Sequence, residues 1–198
     1  MTRKAVYSAA LVAVVAATAM TIASIVTPNW ISYSDTGKSG DTVYDRFGLH
    51  RRCRSTAPGG CMHFPDEQQC EGDGSWFCNT WRTTGFLMSL AVVMDLVTVV
   101  GFLVIMAGGK AKRETGWRIL CAMLGITAIL EFGAMAIVGY VFDNDDLFHV
   151  PGYALDVSWY LCTSSAALAV LSAVGLAISA FVLPPEEGYI FLRDSTDV

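Results

Sequence analysis

The sequence predicts a mainly α-helical integral membrane protein with four transmembrane helices and one large, cysteine-containing outer loop. Hydrophobic residues make up 54% of the 198 residues and the mean hydropathy is +0.48, whereas soluble domains carry about 45–50% apolar residues. Charged residues make up only 16% and cluster between long apolar runs. This composition favours a single membrane domain over residues 1–198 and argues against an enzyme. Without a basic stripe, nucleic acid is not expected as a partner.

Four apolar runs reach the length of about 20 residues that a helix needs to cross a bilayer. They cover residues 5–26, 84–107, 117–142 and 159–183. Within a bilayer every backbone amide must be satisfied inside its own segment, so each run should be a helix. Ala17-Thr18-Ala19 resembles a signal-peptidase site, which leaves cleavage of the first run as an alternative. The run continues to Val26, longer than a usual signal core, and this favours a retained span.

Basic residues near the spans predict the orientation. Arg3 and Lys4 precede the first span, and Lys110, Lys112 and Arg113 crowd the connection between the second and third. Loop 143–158 has no lysine or arginine. We therefore expect a multi-pass plasma-membrane protein with both termini and the tail 184–198 in the cytosol, and with loops 27–83 and 143–158 outside. Tryptophans at the span ends are expected to form aromatic belts; they are Trp30, Trp81, Trp117 and Trp159.

Four of the six cysteines lie in the first outer loop: Cys53, Cys61, Cys70 and Cys78. An even set on the oxidising side predicts two disulfides, with three pairings possible. A metal site is the alternative, but no Cys-x-x-Cys pair is present. The loop also has the residue patterns of short strands, which we predict at residues 31–34, 42–52 and 75–81, with glycine-rich turns between them.

The order of residues in this loop resembles a family signature. It runs Trp30, then Gly48-Leu49-His50, then Cys53 and Cys61, and finally Arg82 at the entrance to the second span. The pattern is similar to that of the superfamily of claudins, peripheral myelin proteins and calcium-channel γ subunits, which has Trp, Gly-Leu-Trp, two cysteines and Arg. His50 stands where that family has tryptophan, and Cys70 and Cys78 are additional.

The resemblance implies a detailed fold. A left-handed four-helix transmembrane bundle would carry a small extracellular antiparallel β-sheet, built from strands of the first loop and one strand of the second. Cys53 would pair with Cys61, and Cys70 with Cys78. In that family the tryptophan of Gly-Leu-Trp seats the loop on the bundle. Because His50 replaces that tryptophan here, we expect the loop conformation to differ from the family's.

Two acids fall within predicted spans, Asp95 in the second and Glu131 in the third. Intramembrane carboxyl groups usually face the bundle or a wet cavity. They could form an ion or proton path, but with no broken helices or repeats of transporter type the favoured interpretation is a protonated acid hydrogen-bonded to nearby Thr or Ser.

Small residues recur every fourth position in two spans. One ladder comprises Ala5, Ala9, Ala13, Ala17 and Thr21, and the other Ser165, Ala169, Ala173 and Ala177. Such faces let helices approach closely, so the first and fourth spans are expected to pack together. Contact with another subunit is the alternative.

The C-terminal residues Thr196, Asp197 and Val198 match a ligand for a PDZ scaffold, which would add the tail as a strand to its groove. No catalytic spacing or phosphate loop is visible, and no metal or other cofactor is expected. The leading hypothesis is a structural or adhesion protein that acts through its outer sheet at cell contacts, with a homo-oligomer as one partner. An auxiliary subunit of a channel or other membrane protein is the alternative. A transporter that uses Asp95 and Glu131 is a third.

Overall fold

The computed structural model describes residues 3–36, 42–57, 59–66, 70–71 and 75–183, which form four long helices and one sheet. The helices are α1 (Arg3–Val26), α2 (Ser75–Ala107), α3 (Gly109–Asn144) and α4 (Val157–Val182). The strands are β1 (Ile31–Thr36), β2 (Thr42–Phe47), β3 (Arg51–Arg54), β4 (Cys61–His63) and β5 (Tyr153–Leu155). All four helices are long and apolar enough to cross a membrane, which supports a multi-pass membrane protein.

The five strands form one antiparallel sheet in the order β4-β3-β2-β1-β5. Strand β1 connects the strands of the two loops, because Ile31 pairs with Phe47 of β2 on one side and with Leu155 of β5 on the other. Strand β5 comes from the second loop, between α3 and α4. The predicted mainly helical fold with a small antiparallel sheet is therefore confirmed.

Two disulfides hold the first loop, as the four loop cysteines predicted. Cys53 on β3 is bonded to Cys61 on β4, and these two residues are direct partners in the strand register. Cys70 is bonded to Cys78 in the first turns of α2. One cystine thus closes the edge of the sheet, and the other fastens the end of the loop to a long helix.

Residues 75–81 are helical, so the strand predicted there is wrong. The segment is the start of α2, which begins well before residue 84. Phe77, Cys78 and Trp81 are buried while Trp76 and Asn79 are exposed. Spacings of one and four residues put those three side chains on one helical face. Alternation of aromatic and polar residues over seven positions does not separate this pattern from a strand.

The interior of the bundle has two apolar regions with a polar layer between them. The sheet-end core includes Trp30, Phe47, Trp81, Met88 and Cys162. The distal core lies at the other end of the helices and includes Tyr7, Phe102, Leu120, Leu124 and Leu176. Buried polar side chains separate the two cores on every helix; they are Thr21 on α1, Asp95 and Thr98 on α2, Thr127 and Glu131 on α3, and Ser165 on α4.

Candidate functional site

The sheet is seated on the bundle by the buried residues of the loop motif. Trp30 is fully buried, and its indole Nε1 donates to the carbonyl oxygen of Ser24 at 2.8 Å. A Cβ atom at Gly48 would lie 2.6 Å from the Cα of Pro28, so only glycine fits this close approach. Leu49 is buried beside it. Trp30 and the Gly48-Leu49 pair therefore meet in one packed seat.

Two further motif residues, His50 and Arg82, lie outside that seat. His50 is exposed, and its imidazole covers the face of α2 at Gly85. Together with His63 and the exposed Arg82, His50 lines a shallow cleft of about 250 Å³ between the sheet and α2.

Trp81 of α2 supplies the aromatic anchor that His50 does not. It is fully buried, and its ring centroid lies 5.5 Å from those of Phe64 and Phe77. Its indole Nε1 donates to the carbonyl oxygen of Gly48 at 3.2 Å. Trp30 and Trp81 are thus core residues, and the belt role predicted for them is wrong.

Asp45 organises a cluster of charged side chains on the sheet. Arg52 donates to both carboxylate oxygens of Asp45, from Nε at 2.9 Å and from Nη2 at 2.6 Å. Arg54 and the hydroxyl of Tyr153 also donate to Oδ2, at 3.1 and 3.3 Å. The guanidinium of Arg52 lies 4.0 Å from the centre of the Phe47 ring. The carboxylate thereby joins β2, β3 and β5.

Burial alone would raise the pKa of Asp45, but hydrogen bonds and charge from Arg52, and then from Arg54, outweigh it and hold the pKa below its ordinary value. Burial and the neighbouring Asp45 charge raise the pKa of Tyr153. Asp45 and Arg52 are only 9% and 4% exposed, so this ion pair is shielded from water.

The two predicted intramembrane acids both face the interior and meet in the polar layer. Asp95 is 1% exposed and Glu131 is fully buried. The Thr21 hydroxyl donates to Glu131 Oε1 at 2.6 Å and lies 2.7 Å from the hydroxyl of Ser165. Ser165 in turn donates to the carbonyl oxygen of Ala17 at 3.0 Å. One hydrogen-bonded chain therefore links α3, α1 and α4.

Within the part of the chain that the structure describes, three oxygen atoms of the polar layer lack a hydrogen-bond partner: Asp95 Oδ2, Glu131 Oε2 and Thr127 Oγ1. Thr127 precedes Glu131 by four residues and lies on the same face of α3. The sequence predicts Thr or Ser partners for the acids, and Glu131 has one in Thr21. The small-residue pattern does not identify Thr21 and Ser165 as those partners. Their hydroxyl groups were the available signal.

An apolar groove opens on the outside of the bundle between α1 and α4. Ala17 of α1 and Ala169 of α4 are both buried. Along the half of α1 that lies farther from the sheet, the two helices line a space of about 370 Å³. Its wall is made of small and aliphatic residues, among them Ala5, Ala9, Ala13, Leu168, Leu171 and Gly175. We call this space the α1–α4 groove.

The predicted PDZ ligand does not extend the site. Thr196, Asp197 and Val198 lie outside the described residues. Within the described ranges, no group of three or more His, Cys, Asp or Glu side chains could hold a metal ion.

Comparison with known proteins corrects the family assignment that the loop motif suggested. Among curated proteins, no relative matches this chain. The family model that matches is that of the lipoma HMGIC fusion partner-like protein, over residues 9–185. No claudin, peripheral myelin protein or γ-subunit family is found, so that assignment is wrong. The short motif reflects how a sheet is seated on four helices. It already departs from the claudin pattern at His50, and Trp81 of α2 is the aromatic anchor instead. The match takes in most of α1, the whole sheet and the other three helices, and the chain belongs to the lipoma HMGIC fusion partner-like family.

Proposed function

We propose that this protein is a non-enzymatic auxiliary subunit that binds another integral membrane protein side by side within the bilayer. The observation that carries the proposal is the α1–α4 groove. An adhesion role rested on the claudin resemblance, which the family match removes. The groove is independent of that resemblance, because it is defined only by the residues of α1 and α4 that line it.

The wall of the α1–α4 groove has the chemistry of a helix-docking surface. Small residues at a helix face let a second helix approach closely, and close backbone packing drives association where lipid leaves no hydrophobic driving force. Ala5 and Ala9 are exposed on α1, and Gly175 is exposed on α4. A Cβ atom at Gly175 would meet no atom within 4 Å. The floor of the groove is therefore open, and its occupant would be a transmembrane helix of the partner.

Filling the groove should abolish partner binding while leaving this protein folded. Because Gly175 faces open space, Gly175→Leu is accommodated within the chain, but its side chain occupies the volume that the partner helix needs. We expect recovery of the co-purifying membrane protein to fall at least about tenfold, equivalent to about 1.4 kcal/mol. The measurement is quantitative mass spectrometry of the tagged full-length protein purified from its native membranes.

Gly125 on α3 provides the matched control, because a Cβ atom there also meets no atom within 4 Å. Gly125→Leu should retain the partner at the wild-type ratio. Equal recovery of the partner with all three proteins would contradict the proposal. A second copy of this chain, or lipid alone, in the groove would also contradict it.

Adhesion through the sheet is a second candidate, favoured by the exposed edge strand. All three residues of β4 are exposed, and among the described residues β4 pairs with β3 alone. A free strand edge can pair with a strand of another chain. Imaging of mixed cells would decide: enrichment confined to contacts between two expressing cells favours adhesion, whereas uniform distribution leaves the auxiliary-subunit role.

The remaining aspects of the proposal concern location. Cytosolic termini and an extracellular sheet are supported by the basic residues between α2 and α3 and by the lack of lysine and arginine in loop 143–158. Residence in the plasma membrane is part of the same proposal. In that orientation the tail is available to a PDZ scaffold. The left-handed twist of the bundle stays a prediction.

A further inference from the structure

The polar layer in the middle of the bundle contains two buried carboxyl groups, whose negative charges must be neutralised. Asp95 and Glu131 would together carry two negative charges, and apolar cores enclose them on both sides. Burying one unpaired carboxylate in a low-dielectric interior is strongly unfavourable, and two are more so. Some positive species must therefore neutralise the pair.

No basic side chain of the described residues reaches this layer. Arg113 on α3 lies about 18 residues before Glu131, hence about 27 Å away along the helix axis. Arg118 on α3 and Arg82 on α2 each lie about 13 residues from the acid on their own helix, or about 20 Å. The groups of α1 and α4 in the layer are hydroxyls, Thr21 and Ser165, and the nearby Cys162 thiol. The neutralising species is therefore a proton or another small cation.

The direction of the helices brings the two acids together. Side chains tilt toward the N-terminus of their own helix, and α2 and α3 run in opposite directions across a one-residue connection. The Asp95 side chain therefore tilts toward the sheet, and the Glu131 side chain tilts away from it. Thr127, fully buried and without a hydrogen-bond partner, lies one turn from Glu131 on the side toward which Glu131 tilts.

We propose that this layer is an intramembrane binding site for one Na⁺ ion, which neutralises the pair together with one proton. Its ligands would be the unpaired oxygens of Asp95, Glu131 and Thr127. Hard oxygen ligands suit Na⁺, whereas Ca²⁺ takes six to eight oxygens and Mg²⁺ keeps several waters. Three free oxygens and a closed apolar surrounding favour the monovalent ion. Thr21 and Ser165 hold Glu131 in position through the hydrogen-bonded chain.

Thermal unfolding of the purified full-length protein tests the site. NaCl is titrated against choline chloride at constant ionic strength, because an ion that binds only the folded state raises the unfolding midpoint with its concentration. We expect a Na⁺-dependent rise in the wild type that is lost in Asp95→Asn and Glu131→Gln. A wild-type midpoint independent of Na⁺, or an equal rise in both variants, would overturn the proposal.

A second measurement uses the wild type alone and does not depend on how the variants fold. The apolar reagent dicyclohexylcarbodiimide modifies protonated buried carboxyl groups, and the adduct is located by peptide mass spectrometry. With Na⁺ at ten times its dissociation constant, modification of Asp95 and Glu131 should slow about tenfold, while choline should have no effect. Modification at the same rate with and without Na⁺ would mean that protons alone neutralise the pair, and the Na⁺ site would be excluded.

Discussion

Asp45→Asn should destabilise the sheet by about 3–5 kcal/mol, because it leaves the guanidinium of Arg52 buried without its counter-charge. The side chain of Arg52 is only 5% exposed, so water cannot replace the carboxylate. Thermal unfolding of the purified protein, followed by tryptophan fluorescence, measures the effect, since Trp30 and Trp81 lie directly beneath the sheet. The exposed Asp35 on β1 gives a control in the same sheet: Asp35→Asn should leave the midpoint near that of the wild type.

Acid should produce the same loss in the wild type. The pKa of Asp45 is held below its ordinary value of 3.8, so the folded protein binds this proton less readily than the unfolded chain. The stabilisation is fully present above pH 3.8 and is lost as the pH falls through the lower, folded-state pKa. The wild-type midpoint should therefore fall more steeply than that of Asp45→Asn below pH 3.8. Parallel curves for the two proteins would show that Asp45 does not hold Arg52.

Trp81→Ala should cost about 3–5 kcal/mol, the range for removing a large buried aromatic side chain. Trp81 is fully buried against Phe64 and Phe77, and it also holds the carbonyl of Gly48. Its removal would leave a cavity under the sheet and an unpaired carbonyl oxygen. The measurement is the thermal midpoint in detergent, combined with the yield of monodisperse protein.

Trp76 is the matched control for that substitution, because it lies on the same part of α2 but is 48% exposed. Trp76→Ala should change the midpoint much less than Trp81→Ala. Trp81→Phe separates the two contributions: it keeps an aromatic ring and should lose about 1 kcal/mol for the hydrogen bond to Gly48, beyond the loss of ring volume. If Trp76→Ala and Trp81→Ala had equal effects, Trp81 would not be the anchor.

The helices were predictable because a bilayer demands long apolar runs, and the sequence contains four of them. The start of α2 was not, since residues 75–81 are less apolar and pack on the sheet rather than in a span. The spacing of the aromatic residues in this segment fits one face of a strand almost as well as one face of a short helix. Only the three-dimensional positions of Phe64 and Gly48, against which Trp81 packs, decide between them.

The sites were predictable to different degrees. Asp95 and Glu131 stand out because carboxyl groups are rare in spans. Their placement in one buried polar layer depends on the depth of each helix, which a sequence does not give. Asp45 and Arg52 could not be told from neighbouring loop charges, because their pairing needs the register that places β2 beside β3. The family motif misled because a few residues that seat a sheet do not distinguish between families of similar architecture.

Strand β5 makes the sheet dependent on the order of synthesis. Residues 31–36 leave the ribosome early, but their partners at residues 153–155 follow only after α2 and α3 have been made. Throughout that interval one edge of β1 has no strand beside it. An antibody that recognises the joined β1–β5 edge would therefore bind only chains whose third helix is already in place, and it would separate nascent from mature protein in a cell.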